Sequence, residues 1–197
     1  MPHSTQLLFM AGSAREGSFN KRLARLASRI AEANGIPSTF ADLADYPMPL
    51  YDGDLEVREG APGNAKKLKA LMQLHPGVFI ATPEYNASIT PLLKNTLDWI
   101  SRIRAENEAP LQVYRTRVFA LASASPGGFG GMRSLLALRQ VLEIGLGALV
   151  LPDQVAVARA HEAFDEHDHL KDKGQQERLK GAVEKLARAA KLLYGVA

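Results

Sequence analysis

The chain has no cysteine at all. Disulfides, thiolate nucleophiles and iron–sulfur clusters are therefore excluded, and the absence fits a reducing compartment. Aromatic residues are sparse, at 7% of the chain with a single tryptophan. No apolar run approaches the ~20 residues that a membrane-spanning helix needs. Met1-Pro2-His3 opens no basic signal sequence, so no membrane association and a cytoplasmic location are the expectations. Charge of one sign is not concentrated either. The net charge is only +3, and Lys21, Arg22, Arg25 and Arg29 lie along one stretch without interleaved aromatics. That pattern suits a solvated helix face better than a nucleic-acid surface. The mild positive excess would still help attract an anionic ligand.

What is present is ordinary in amount and specific in order. With 197 residues, 46% hydrophobic and 23% charged, the chain suits one domain spanning 1–197 with a real core. Short apolar runs alternate with amphipathic stretches. Strands are predicted at Gln6–Ala11, Ser38–Ala41, Gly77–Thr82, Arg117–Ala122 and Ala148–Leu151. Most are apolar throughout, as strands covered on both faces are. The stripe Phe19, Leu23, Leu26, Ala27, Ile30 predicts a helix that Asn34-Gly35 stops. Helices follow at Ala65–Leu74, at Pro91–Arg102 with proline in its first turn, at Met132–Ile144, and through Leu179, Val183, Leu186, Ala190 and Leu193. Strand and helix in alternation predict an α/β fold, a parallel sheet with helices on both sides. Five strands match a flavodoxin-like α/β/α sandwich better than the six of a full dinucleotide fold. Asp42–Gly63 and Pro152–Leu170 are the irregular pieces.

Ligands of such sheets bind beyond the carboxyl ends of the strands. After the first strand comes Gly12-Ser13-Ala14-Arg15-Glu16-Gly17-Ser18-Phe19-Asn20. The glycines have the spacing of a nucleotide-phosphate loop, but Ser18 stands in place of the lysine and Phe19 in place of the magnesium-binding hydroxyl. Triphosphate hydrolysis does not fit. A concave loop opening onto a helix N-terminus remains, with Ser13, Ser18 and Asn20 as donors and Arg15 as a two-pronged clamp. That suits a phosphate monoester held rather than cleaved. The alternative is that Ser18 merely caps the helix.

After the third strand, Thr82-Pro83-Glu84-Tyr85-Asn86-Ala87-Ser88-Ile89-Thr90-Pro91 is stiffened by proline and carries a flat ring. It could present main-chain N–H groups to the edge of a planar heterocycle; the alternative is a plain turn. After the fourth, Ser123-Ala124-Ser125-Pro126-Gly127-Gly128-Phe129-Gly130-Gly131 fails G-x-G-x-x-G, because Arg133 falls on the last glycine position. So many glycines mean a backbone that comes close to something or moves. One shared ligand explains three unusual loops better than three coincidences. The His161–His169 stretch fails H-E-x-x-H at Asp165, and a solvated loop without metal is the expectation.

Gly-Ser-x-Arg-x-x-Ser-x-Asn, Thr-Pro-Glu-Tyr-Asn, Pro-Leu-Leu-Lys-Asn-x-Leu-Asp-Trp-Ile-Ser and Ser-Ala-Ser-Pro-Gly-Gly-x-Gly-Gly occur here in the order in which they resemble the NADPH-dependent FMN reductase family. The resemblance covers essentially the whole chain. It implies a flavodoxin-like quinone, azo-dye or chromate reductase using FMN, with NADPH or NADH as co-substrate. It implies phosphate contacts from Ser13, Arg15, Ser18 and Asn20, with Phe19 beside them, and a flavin-ring segment at Pro83, Glu84, Tyr85 and Asn86. Ser123, Ser125, Gly127 and Gly128 fall where that family's third loop meets the flavin. The helix from Pro91 resembles the family's dimer-forming helix, so a homodimer or homotetramer is implied. No acid or base of the protein is required, since hydride chemistry belongs to the cofactor; turnover would be ping-pong, with Tyr85 on the substrate face. The rivals are a flavodoxin-type electron carrier, an enzyme that uses FMN as a diffusing substrate, and a nucleotide-sensing module. No residue is assigned to the adenosine 2′-phosphate; Arg102 and Arg104 are bare guesses.

Overall fold

The computed structural model describes residues 6–194; Met1-Pro2-His3 lies outside them. Strand β1 (Leu7–Ala11) is buried along its whole length, as are β3 (Gly77–Ala81) and β4 (Val118–Ala124). Together with β2 (Ser38–Ala41) and β5 (Leu149–Val157) they form one parallel sheet in the order β2-β1-β3-β4-β5. This is the flavodoxin-like order, and it puts the topological switch point between β1 and β3.

Each strand sends alternate residues to opposite faces. Leu7, Phe9 and Ala11 pack with Phe79, Ala120 and Ala122 against α1 (Phe19–Ala33) and α8 (Lys173–Tyr194). Leu8, Met10, Val78 and Ile80 face the other way, toward α3 (Gly63–Leu74), α4 (Pro91–Arg102) and α6 (Met132–Arg139). Two cores flank one sheet, as the doubly apolar strands require.

The expected elements are present, with differences that have physical causes. The strand expected at Ala148–Leu151 runs on to Val157. Pro152 cannot donate to a ladder, and the pairing jumps from Phe119–Val150 to Leu121–Gln154 around it. An edge strand tolerates such an interruption, so the first third of the expected irregular piece Pro152–Leu170 is sheet. The short helix α7 (Ala160–Ala163) follows. The helix expected at Met132–Ile144 is α-helical only to Arg139 and continues as a π-helical turn over Gln140–Gly145. Leu138, Leu142 and Leu146 are all buried; their spacing of four exceeds the α-helical 3.6, so a wider turn keeps them on one face.

Within Asp42–Gly63 lies the short helix α2 (Gly53–Glu59), capped by the Asp52 carboxylate, which accepts from Asp54 N at 2.7 Å and Leu55 N at 3.1 Å. The segment before it lies on α4: Trp99 Nε1 donates to Pro49 O at 2.8 Å, and the Tyr51 ring meets Trp99 edge-on at 5.0 Å. A last short helix, α5 (Gln112–Arg115), precedes β4. Among the described residues, no helix is long and apolar enough to cross a membrane.

Candidate functional site

The loop leaving β1 is drawn tight against its neighbours. Gly12 N donates to Ala81 O at 2.9 Å, while the Thr90 hydroxyl, which also caps α4, donates to Gly12 O at 2.6 Å. Ser13 and Ser18 are almost wholly buried. Ser13 Oγ accepts from Arg15 N and Ser18 Oγ from Lys21 N, each at 3.4 Å. Neither hydroxyl donates to a described residue, so both retain a donor. The backbone N–H groups of Gly17, Phe19 and Asn20 likewise have no protein acceptor among the described residues. The Arg15 side chain is exposed, with no ion pair among them.

A lysine does reach this loop, from an unexpected position. Lys21, buried in the first turn of α1, donates to Ala14 O at 3.1 Å and pairs with Asp42 at 2.8 Å. It ties down the loop carbonyl and leaves the N–H groups to point elsewhere. Asn20 has a second task. Its side chain is buried and bonded within the protein: Nδ2 donates to Ala124 O at 2.8 Å and Oδ1 accepts from Ala124 N at 2.9 Å. Asn20 clamps α1 to the end of β4.

After β3, Tyr85 and Ser88 exchange two backbone hydrogen bonds of 3.0 Å around Asn86 and Ala87. Both central residues are left-handed, φ 50° and 64°, which makes a type I′ turn and is costly at Ala87. The Glu84 carboxylate is buried and bound to Arg133, accepting from its Nε at 2.6 Å and its backbone N at 3.1 Å. It thus both neutralises Arg133 and caps α6. Tyr85 is 47% exposed.

After β4, the chain folds back on itself. The Ser123 hydroxyl is buried and donates to Gly130 O at 2.7 Å. Ser125 N donates to Val157 O, and Ala160 N to Ser125 O, both at 3.0 Å. Gly130 has φ +61°, and a Cβ there would stand 2.8 Å from Ala158 N. No other residue fits at that position.

These three loops enclose a cleft of about 110 Å3. Ser13, Arg15, Ser18, Phe19 and Asn20 line it from the first loop, Pro83, Glu84 and Tyr85 from the second, and Ser125 from the third. Asn86, Ser123, Gly127 and Gly128 lie outside the lining. Asn86 sits in the exposed turn, Ser123 is committed to Gly130, and the two glycines lie on the exposed outer part of their loop. Ala124 and Pro126 line the cleft without having been singled out from sequence.

The stretch from His161 to His169 ends α7 and continues as a loop bound to α1. Asp168 pairs with Arg22 at 2.5 Å, and Arg29 donates to His167 O and Asp168 O at 3.1 Å. Among the described residues, no group of three His, Asp or Glu side chains could hold a metal.

A family model described as NADPH-dependent FMN reductase matches residues 5–162. The chain belongs to the NADPH-dependent FMN reductases. Relatives of this reductase include a quinone reductase of Escherichia coli K12, 36% identical over 151 residues, covering 77% of this chain and 76% of that protein. A probable NADPH:quinone oxidoreductase 2 of Oryza sativa subsp. japonica is 35% identical over 198 residues, covering 98% and 93%. Among solved structures, the flavoenzyme NAD(P)H:(acceptor) oxidoreductase FerB of Paracoccus denitrificans superposes with a TM-score of 0.76 at 24% identity, covering 96% of this chain and 98% of that one. It shares the flavodoxin-like fold. The reductase is thus an oxidoreductase that uses FMN and NAD(P)H.

The donor set fits that cofactor. Two buried hydroxyls, the unbonded N–H groups of a helix N-terminus and one free guanidinium converge on the first loop, and every one is a donor. The enclosed volume suits a phosphate; a three-ring heterocycle is larger and needs the open side, where Tyr85 stands.

Proposed function

We propose that the chain reduces quinones or similar small acceptors, azo dyes, chromate and free flavin among them, with NAD(P)H, using FMN seated in this cleft. The single observation that carries the placement is the first loop, whose buried donors have no acceptor among the described residues while its carbonyl is tied back by Lys21. Bound there, FMN supplies the two-electron chemistry, and the protein needs no acid or base of its own.

What the chain contributes is binding and shape. Ser13, Ser18, the N–H groups opening α1 and Arg15 hold the phosphate. Asn20 sets the distance between the first and third loops through its two bonds to Ala124. With its carboxylate engaged by Arg133, Glu84 leaves only main-chain groups for the ring edge, and Pro83 and the Asn86–Ala87 turn keep them in place. Tyr85, half exposed, borders the side on which nicotinamide and acceptor would stack in turn. Gly127 and Gly128 let the third loop approach without a side chain in the way.

Leu50 and Val57, 75% and 87% exposed in the segment that covers α4, support a homodimer or homotetramer formed on that face. A cytoplasmic setting accords with the absence of cysteine. The test is the visible spectrum of the purified protein, before and after NADPH is added without oxygen. Yellow protein that bleaches within seconds is expected. A protein that stays colourless after soaking with FMN overturns the site, and bound flavin that does not bleach makes the chain a carrier instead.

A further inference from the structure

The nicotinamide nucleotide carries a negatively charged half that needs an anchor. Arg102 and Arg104, the two candidates from sequence, are both engaged: Arg102 Nε donates to Glu56 at 2.9 Å and Arg104 Nε to Glu108 O at 2.6 Å. Arg133, nearer the cleft, is bound to Glu84. Beyond the strand ends, Arg15 and Arg159 are the arginines whose side chains have no hydrogen bond or ion pair among the described residues. Arg15 lines the flavin cleft. Arg159 does not, and it is held in an unusual way.

Arg159 follows β5 with φ 47° and ψ 47°, the left-handed region. For a residue with a long side chain that backbone is unfavourable, and glycine would adopt it freely. Its N–H donates to Gly127 O at 3.3 Å, and the next residue, Ala160, donates to Ser125 O at 3.0 Å. From the other side, Gly130 presses directly on the backbone of Val157 and Ala158. The strained arginine is therefore fixed to the glycine loop, whose Ser125 and Pro126 form one wall of the cleft. Phe129, on the same loop, is 77% exposed, with glycine on both sides. A free guanidinium and a bare aromatic ring are thus anchored to one loop, one residue either side of the same backbone contact. Strain held beside the cleft wall, on a residue whose charge is unpaired among the described residues, points to function.

We propose that Arg159 grips a phosphate of the nicotinamide nucleotide, with Phe129 as a stacking surface for one of its bases. This rests on the reductase reading above. The experiment uses the FMN-loaded protein and follows anaerobic flavin bleaching against NADPH and, separately, NADH, for the parent, Arg159→Ala and Arg159→Gly. The NADPH concentration for half-maximal bleaching rate rises ten- to a hundredfold in both variants, the size of a lost charge-assisted contact. Its dependence on ionic strength weakens with it. Arg159→Lys recovers part of the loss. A rise for NADPH alone assigns the 2′-phosphate; an equal rise for NADH assigns the diphosphate. Phe129→Ala raises the same constant by a smaller factor.

Unchanged constants in both variants overturn the proposal. So does a loss of bound FMN in Arg159→Gly, which relieves the backbone strain, because Arg159 would then be a part of the loop and not a reader of nucleotide. A parent protein that neither nucleotide bleaches refutes the reductase reading itself, which separates the two failures.

Discussion

Asn20→Ala tests how the cleft is held together. The substitution deletes two hydrogen bonds, of 2.8 and 2.9 Å, to both backbone groups of Ala124. Asn20 is 3% exposed and Ala124 likewise 3%, so bulk water replaces little of what is lost. Each orphaned buried group costs roughly 1–3 kcal/mol, giving a total loss of about 2–6 kcal/mol. In a chain of this length a loss of 1 kcal/mol lowers Tm by about 2–4 °C. A fall of about 4–24 °C in the thermal unfolding of the FMN-free protein is the expected result. Asn20→Asp separates bonding from bulk. Its carboxylate still accepts from Ala124 N but faces Ala124 O as a like partial charge, so near neutral pH the variant melts at or below Asn20→Ala. Protonation restores the missing donor. The acid form is the one the fold prefers, so the folded pKa is raised; the Asp variant gains stability relative to Asn20→Ala as pH falls and loses it as pH rises. Melting of Asn20→Ala within about 1 °C of the parent would show that the bridge carries no weight.

Other perturbations have equally definite outcomes. Arg15→Ala weakens FMN binding roughly tenfold to a hundredfold, read by flavin fluorescence titration, while Tm of the FMN-free protein stays within about 1 °C because Arg15 is exposed. Gly130→Ala places a Cβ 2.8 Å from Ala158 N at φ +61°, so Tm and FMN content fall together. Burial holds the pKa of His75 below its usual value while its ring bonds Leu71 O at 2.6 Å and Thr39 Oγ1 at 2.9 Å. The folded state thus favours neutral His75, whose contribution is present above about pH 6.5 and is lost as pH falls below it. The parent's Tm advantage over His75→Gln therefore shrinks between pH 8 and pH 5.

How much of this could be read from the sequence depended on how local each signal was. Gly12, Ser13, Arg15 and Ser18 read as a candidate anion seat within a few consecutive residues, and all but Gly12 line the cleft. The five strands were visible because residues such as Leu7 to Met10 must be covered on both faces. By contrast, the bonds that join the loops link residues far apart in sequence: Asn20 to Ala124, Glu84 to Arg133, Gly12 to Thr90. No periodicity carries such pairings, so the structural bonds of Asn20 and Glu84 are not legible in the sequence, although both residues line the cleft. Pro152 hid the second half of β5 because an edge strand can absorb a residue that an interior strand cannot. Lys21 reads in the sequence as one of a solvated basic face, yet it is buried, because Ala14 O and the Asp42 carboxylate, which hold its ammonium group, are brought to it only by the fold. The Ser18 cap, visible in sequence as one reading among two, is real and coexists with a place in the cleft wall.

The bond from Thr90 to Gly12, the clamp at Asn20 and the pairing of Glu84 with Arg133 all exist in the protein alone. The mould is cast before anything is poured into it. With FMN seated as proposed, stripped protein should regain its colour on mixing with the flavin, without a cycle of denaturation and renaturation.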